Sequence, residues 1–176
     1  MAMKKHLSII TLNLNGLNAP ITRHKVAEWK RNHDPCICCL HQTHLRTKDL
    51  YSLKVKGWKK KRFQANGQEK KAEVAILISD KIDFKTRTVN RDAEGHFIIL
   101  KGRIHQEDIN IVNIYAPNIG APKYIEKILE DFKKDIDSST IIVGDFNTPL
   151  SKMDRSSKQN INKDIVTLNN VQDQMN

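Results

Sequence analysis

The chain lacks the features that would place it outside a cell or inside a membrane. It has three cysteines, Cys36, Cys38 and Cys39, all in one apolar run. An odd, clustered count with no signal peptide argues against a secreted disulfide scaffold and favours core cysteines. The N-terminal "MAMKKHLSII" holds too short an apolar stretch for a signal h-region. No apolar run approaches the roughly 20 residues of a membrane span. The expected setting is intracellular and reducing, nuclear or cytoplasmic, with no membrane partner. Internal repeats and long low-complexity linkers are also missing. Apolar residues make up 39% of the chain, below the globular norm of roughly 45–50%. At 176 residues it suits one domain, folding with little margin.

Acidic residues are in deficit too. Lys and Arg number 30 against 20 Asp and Glu, a net charge of +10, which favours an anionic partner such as nucleic acid. The excess is concentrated. Between Arg46 and Lys71 stand ten basic residues, including Lys59, Lys60, Lys61, Arg62, Lys70 and Lys71, and only two acidic ones, a net of +8. Such a run reads either as a solvated loop or as a nucleic-acid surface. Tyr51, Trp58 and Phe63 lie within it; they could stack on bases or belong to the core.

The apolar pattern predicts a strand over "HLSIITLNLN", ending in a turn at 13–16. "PITRHKVAEWKRNH" opens on Pro20, which suits a first helical turn, and Asp34-Pro35 stops it. "CICCL" is a strand apolar on both faces and hence buried on both. Residues 45–71 read as polar and irregular. "VAILIS", "HFIILKGRI" and "INIVNIYAP" are three more strands. In "APKYIEKILEDFKKDID" the residues Ile125, Ile128, Leu129, Phe132 and Ile136 form a helical stripe. "TIIVGDFNTP" is a strand ending at Gly144-Asp145, and Ile161, Ile165, Leu168 and Val171 suggest a final helix. This order predicts a layered α/β (α+β) domain.

Ligand chemistry in such sheets gathers at strand ends. Four ends carry oxygen or amide groups: Asn13, Gln42, Tyr115, and the pair Asp145 and Asn147. Asp145 could hold a hard cation such as Mg²⁺ together with a substrate phosphate. Asn147 and Tyr115 could donate to phosphate oxygens. Each has a plainer explanation as well, Asp145 as a turn former and Tyr115 as packing. Cys36, Cys38, Cys39, His41 and His44 are zinc ligand types. Strand alternation puts Cys36 and Cys38 on one face and Cys39 and His41 on the other, which opposes a zinc site.

Taken together, "TLNLNGL", "QTHL", "NIYAPN" and "GDFNTP", in this order and spacing, closely resemble the endonuclease domain of LINE-1 retrotransposons. That family is a branch of the apurinic-endonuclease-like exonuclease–endonuclease–phosphatase superfamily. The resemblance runs from His6 to about Leu168. It implies a four-layer α/β sandwich and Mg²⁺- or Mn²⁺-dependent nicking of DNA, with no small-molecule cofactor. By position, Asn13 would organise the metal and phosphate. Tyr115 would hold the scissile phosphate, Asp145 would orient the attacking water and Asn147 would polarise the phosphate.

The sequence departs from the family at three places. Gln42 stands where the motif has the main metal carboxylate, a Glu. A unit charge ~4 Å from another is worth about 4 kcal/mol at an effective dielectric near 20. Its loss, moderated by solvent, weakens metal affinity by roughly 10²–10³. Nothing after Asp145 matches the family's closing Asp and Ser-Asp-His motifs, and the last histidine is His105. Residues 1–176 are therefore expected to be one endonuclease-like domain lacking the C-terminal strands, a partial sandwich with an exposed edge. Glu73 stands where the family typically has Gly and is expected to strain its strand's entry. The expected function is a LINE-1-type endonuclease domain of impaired or no activity. The alternatives are an inactive basic nucleic-acid-binding module and a non-functional retroelement fragment.

Overall fold

The computed structural model describes residues 7–14, 20–45, 55–65, 72–147 and 165–166. Two mixed sheets lie face to face. The first has the order β1 (Ile9–Asn13), β2 (Ile37–Leu45), β4 (Ala72–Ile78), β3 (Lys61–Gln64), with β1 and β2 parallel. The second has the order β5 (Phe84–Arg91), β6 (Phe97–Ile104), β7 (Glu107–Tyr115), β8 (Thr140–Asp145), β9 (Ile165–Val166), with β7 and β8 parallel. Helix α1 (Pro20–His33) supplies the crossover between β1 and β2, and α2 (Ala121–Asp131) the one between β7 and β8. Parallel pairs require such crossovers.

Three apolar clusters define four layers. Ile37 and Cys39 of β2, with Val74, Ile76 and Ile78 of β4, meet Ile98, Leu100, Ile111 and Val143 of the second sheet between the sheets. On the outer face of the first sheet, Cys38, Leu40, Ala75 and Leu77 pack under Val26 and Trp29 of α1. On the outer face of the second, Ile99, Val112, Ile114 and Ile142 pack under Ile125, Ile128 and Leu129 of α2. Burying each such aliphatic side chain stabilises by ~1.5–3 kcal/mol. The unbroken apolar character of "CICCL" follows, because both faces of β2 are covered. This is the expected sandwich of α/β type.

Several local expectations change. Strand β3 lies in a stretch read as irregular and β5 in one given no element; their residues are mostly polar because both are edge strands. The final helix is replaced, at Ile165–Val166, by strand β9 paired to β8. Two adjacent β-branched residues favour extended backbone, and β8 offered an open edge; the rest of that stretch lies outside the described residues. Cys36 packs with Cys39 rather than with Cys38. It precedes the strand, its N–H held 2.9 Å from the carbonyl of Ser8, so alternation has not yet begun. Trp58 is core, under α1, and Phe63 packs partly against the inter-sheet cluster. Neither ring is a free stacking platform; Tyr51 lies outside the described residues. Edge strand β1 keeps Ile9 and Ile10 only half-buried.

Candidate functional site

The carboxyl ends of β1, β7 and β8 lie at the same end of the sandwich as the tip of β2. The register shows it: Asn13 is level with His41, and Tyr115 with Asp145. Asn13 Nδ2 donates to Asp145 Oδ2 at 3.0 Å, joining the two sheets. The Asn147 backbone N–H donates to the other carboxylate oxygen at 3.1 Å, and the Asn147 amide donates to the carbonyl of Ala116. Gln42 Nε2 donates to the Tyr115 hydroxyl at 2.8 Å. The structure thus brings Asn13, Asp145 and Asn147 into one hydrogen-bonded set and Gln42 and Tyr115 into another, with Tyr115 and Asp145 level in the β7–β8 ladder. Gly144 makes this possible. A Cβ there would sit 2.0 Å from the carbonyl oxygen of Ile114, at φ 157°, so only glycine lets β8 pass β7 at this point.

β2 does not stop at Leu40. It continues to Leu45 through a bulge in which residues 42–44 oppose Glu73 alone. Gln42 and His44 take left-handed φ values of 52° and 50°, each costing ~1–3 kcal/mol for a non-glycine residue. The strain has a visible result. His41 and Gln42 are consecutive, yet both reach β7, His41 through Asn113 and Gln42 through Tyr115. Regular alternation forbids that. Thr43, fully buried, anchors the bulge by donating to the carbonyl of Ala72 at 2.7 Å.

Two neighbours, Asn113 and His96, were not singled out from the sequence. Asn113 is fully buried and donates to the carbonyls of Ala75 (3.0 Å) and Leu40 (3.3 Å). Its oxygen is then the acceptor for His41 Nε2–H. Burial pushes His41 down to about 4, against the Asn113 bond and the Asp145 charge, which favour the protonated ring. An amide in the middle of the apolar "INIVNIY" was the available signal. His96 Nδ1 donates to the carbonyl of Tyr115 at 3.3 Å, its ring stacked on that of Tyr115. Glu73 sits in regular strand, its N–H on the carbonyl of Gly95 and Oε1 3.2 Å from His44 Nδ1. The expected strain at Glu73 is not there; it resides across the ladder in β2.

The expected nucleic-acid residues lie elsewhere. Lys61 is level with Ile78 and His41 with Val74, on the same strand β4. Four residues at ~3.3 Å each separate the levels. The backbone N–H groups of Lys59 and Lys60 bond Asp80, two residues farther on. Lys59, Lys60, Lys61 and Arg62 therefore occupy the end of the first sheet opposite Gln42. Lys70 and Lys71 lie outside the described residues.

A divalent cation would meet one carboxylate, Asp145, and the amide oxygens of Asn13 and Gln42. Among the described residues no three His, Cys, Asp or Glu side chains come together in a metal cluster. The donor atoms are hard oxygens of the kind Mg²⁺ takes, and one carboxylate with substrate phosphate is the minimum such sites use. The set fits in kind but is poor in charge.

No family model matches the sequence. The chain is 29% identical over 159 residues to the "Transposon TX1 uncharacterized 149 kDa protein" of Xenopus laevis, covering 85% of this chain and 12% of that protein. An AP endonuclease from Archaeoglobus fulgidus superposes with a TM-score of 0.59 at 20% identity, over 84% of this chain and 60% of that one. The endonuclease domain of TRAS1, a telomere-specific non-LTR retrotransposon, gives 0.60 at 17%, over 82% and 60%. D. rerio TDP2 complexed with single-strand DNA product gives 0.62 at 13%, over 81% and 61%. The chain thus spans about an eighth of its transposon relative and about 60% of each of these structures. No helix among the described residues is long and apolar enough to cross a membrane. The fold of this chain is the layered sandwich shared by the AP endonuclease, the TRAS1 endonuclease domain and TDP2.

Proposed function

We propose that this chain is a LINE-1-type DNA endonuclease domain whose phosphodiester hydrolysis is strongly impaired at Gln42. The observation carrying this reading is the gathering of Asn13, Gln42, Tyr115, Asp145 and Asn147 at one end of the sandwich, in two hydrogen-bonded sets. Mg²⁺, or Mn²⁺, held by Asp145 with the amide oxygens of Asn13 and Gln42, would supply Lewis-acid stabilisation of the leaving oxygen. The remaining roles belong to the side chains. Asn13 and the Asn147 N–H fix the carboxylate of Asp145, leaving lone pairs to orient a water. Asn147 Nδ2 spends one hydrogen on Ala116 and keeps one for a phosphate oxygen.

Gln42 changes the polarity of this group. A Glu at this position would accept the Tyr115 proton. Gln42 donates instead, so the Tyr115 O–H remains available to a phosphate while the metal side loses a charge. The outcome is a site that still grips a phosphodiester but cleaves it poorly. The test pairs a supercoiled-plasmid nicking assay with titration of Mn²⁺ by its paramagnetic signal. Gln42→Glu should tighten Mn²⁺ by roughly 10²-fold or more, with Asp145→Ala removing binding and residual nicking. Equal Mn²⁺ affinity in the chain and in Gln42→Glu would refute the assignment of this position.

A further inference from the structure

The basic residues and the candidate catalytic group lie at opposite ends of the first sheet, and the basic end has a shape of its own. The turn before β3 and the turn after β4 enclose a groove of about 240 Å³ lined by Lys60, Lys61, Lys81, Ser79, Asp80 and Asp83. Its walls are fixed by backbone. Asp80 accepts the N–H groups of Lys59 (3.1 Å) and Lys60 (2.9 Å), and its own N–H bonds the carbonyl of Gly57 at 2.7 Å. The carboxylate is thereby turned into the turn, and the exposed Lys59 and Lys60 side chains project from it. Lys61 crosses toward the second sheet, its Nζ 5.6 Å from the centre of the Phe84 ring. Lys81 is held at the rim by Asp34 at 2.9 Å. Around the groove Lys59, Lys60, Lys61, Arg62 and Lys81 stand against Asp34, Asp80 and Asp83, a net of +2.

From Val74, level with His41, to Asp80 is six residues, ~20 Å of strand. The two ends also face opposite ways along the strands. A phosphate at Tyr115 and Asp145 would therefore sit at the other end of the first sheet from the groove. We propose that this basic groove is a second phosphodiester-backbone contact, so that the chain holds two nucleic-acid segments at once. This rests on the reading that nucleic acid is the partner, and extends it from one surface to two. Phosphate contacts of this kind are sequence-tolerant and salt-dependent.

The test mixes the whole chain with two populations of a short DNA duplex, one carrying a donor dye and one an acceptor. At low salt and equimolar protein, energy transfer should appear and vanish as salt rises. The variant Lys60→Gln/Lys61→Gln/Lys81→Gln should lose the transfer yet still bind one duplex, its salt slope reduced by roughly 2–3. The second variant Lys59→Gln/Lys60→Gln, confined to exposed side chains, should do the same without burdening the fold. Absence of transfer with the unaltered chain, or its persistence in both variants, overturns the proposal. So does binding of the groove to phosphatidylserine vesicles in preference to duplex. None of these readouts involves nicking, so they stand apart from the fate of the catalytic reading.

Discussion

Lys30 is the most improbable side chain in the core, and replacing it should make the protein more stable. It sits on α1 with 1% exposure, and its ammonium has no hydrogen-bond partner. Its compensation is the Trp58 ring, 4.8 Å away. Burial, with a smaller push from Arg62 and an opposing pull from Cys38, brings it from 10.5 down to about 8. That fall is a penalty of ~3 kcal/mol on holding the ammonium in place at neutral pH. A desolvated cation over an indole returns about 2 kcal/mol. Lys30→Met keeps the aliphatic stem and the volume and removes the charge, for an expected gain of ~1–2 kcal/mol at pH 7. In a chain of this size each kcal/mol moves the midpoint by about 2–4 °C.

The pH dependence makes the argument specific. A folded value below the unfolded one means the unfolded chain binds more protons between pH 8 and 10.5, so stability rises across that window. Below pH 8 the penalty is present in full; above 10.5 it is gone. The advantage of Lys30→Met should therefore be constant below pH 8 and shrink as pH climbs to 10.5. Urea titrations followed by circular dichroism, with the two proteins side by side, cancel every other titrating group. A Met variant less stable at pH 7, or an advantage independent of pH, would show that the ammonium has partners that the burial argument misses.

The other expectations are briefer. His41, held down to about 4 against 6.5 unfolded, contributes stability that is full above pH 6.5 and lost as pH falls through 4. The swing is ~3 kcal/mol, and His41→Gln should flatten that limb of the stability–pH curve. Gly144→Ala should cost roughly 2–4 kcal/mol and separate β8 from β7, because the added methyl meets the Ile114 carbonyl. A thermal midpoint unchanged by that substitution would contradict the packing described.

The layers were legible because periodicity reports burial on one face or both. "CICCL" and the α2 stripe each announced what would cover them. Edge strands carry no such signal, so β3, polar and paired on one side, passed for loop and β5 was not picked out. The site was legible as residues and illegible as geometry. Asn13, Tyr115 and Asp145 follow apolar runs, and a sheet of this kind delivers such residues to one end. The position of Gln42, however, depends on a three-against-one bulge with two left-handed residues, and no side-chain pattern encodes φ. What secures the bulge is spread over other strands: Ala72, which accepts from Thr43, Glu73, which meets His44, and Asn113, which fixes His41. Asn113 sits on β7, one turn of alternation before Tyr115. The same strand therefore sets both ends of the Gln42–Tyr115 bond, and the strained backbone of β2 is retained because relaxing it would break contacts to β4 and β7 together.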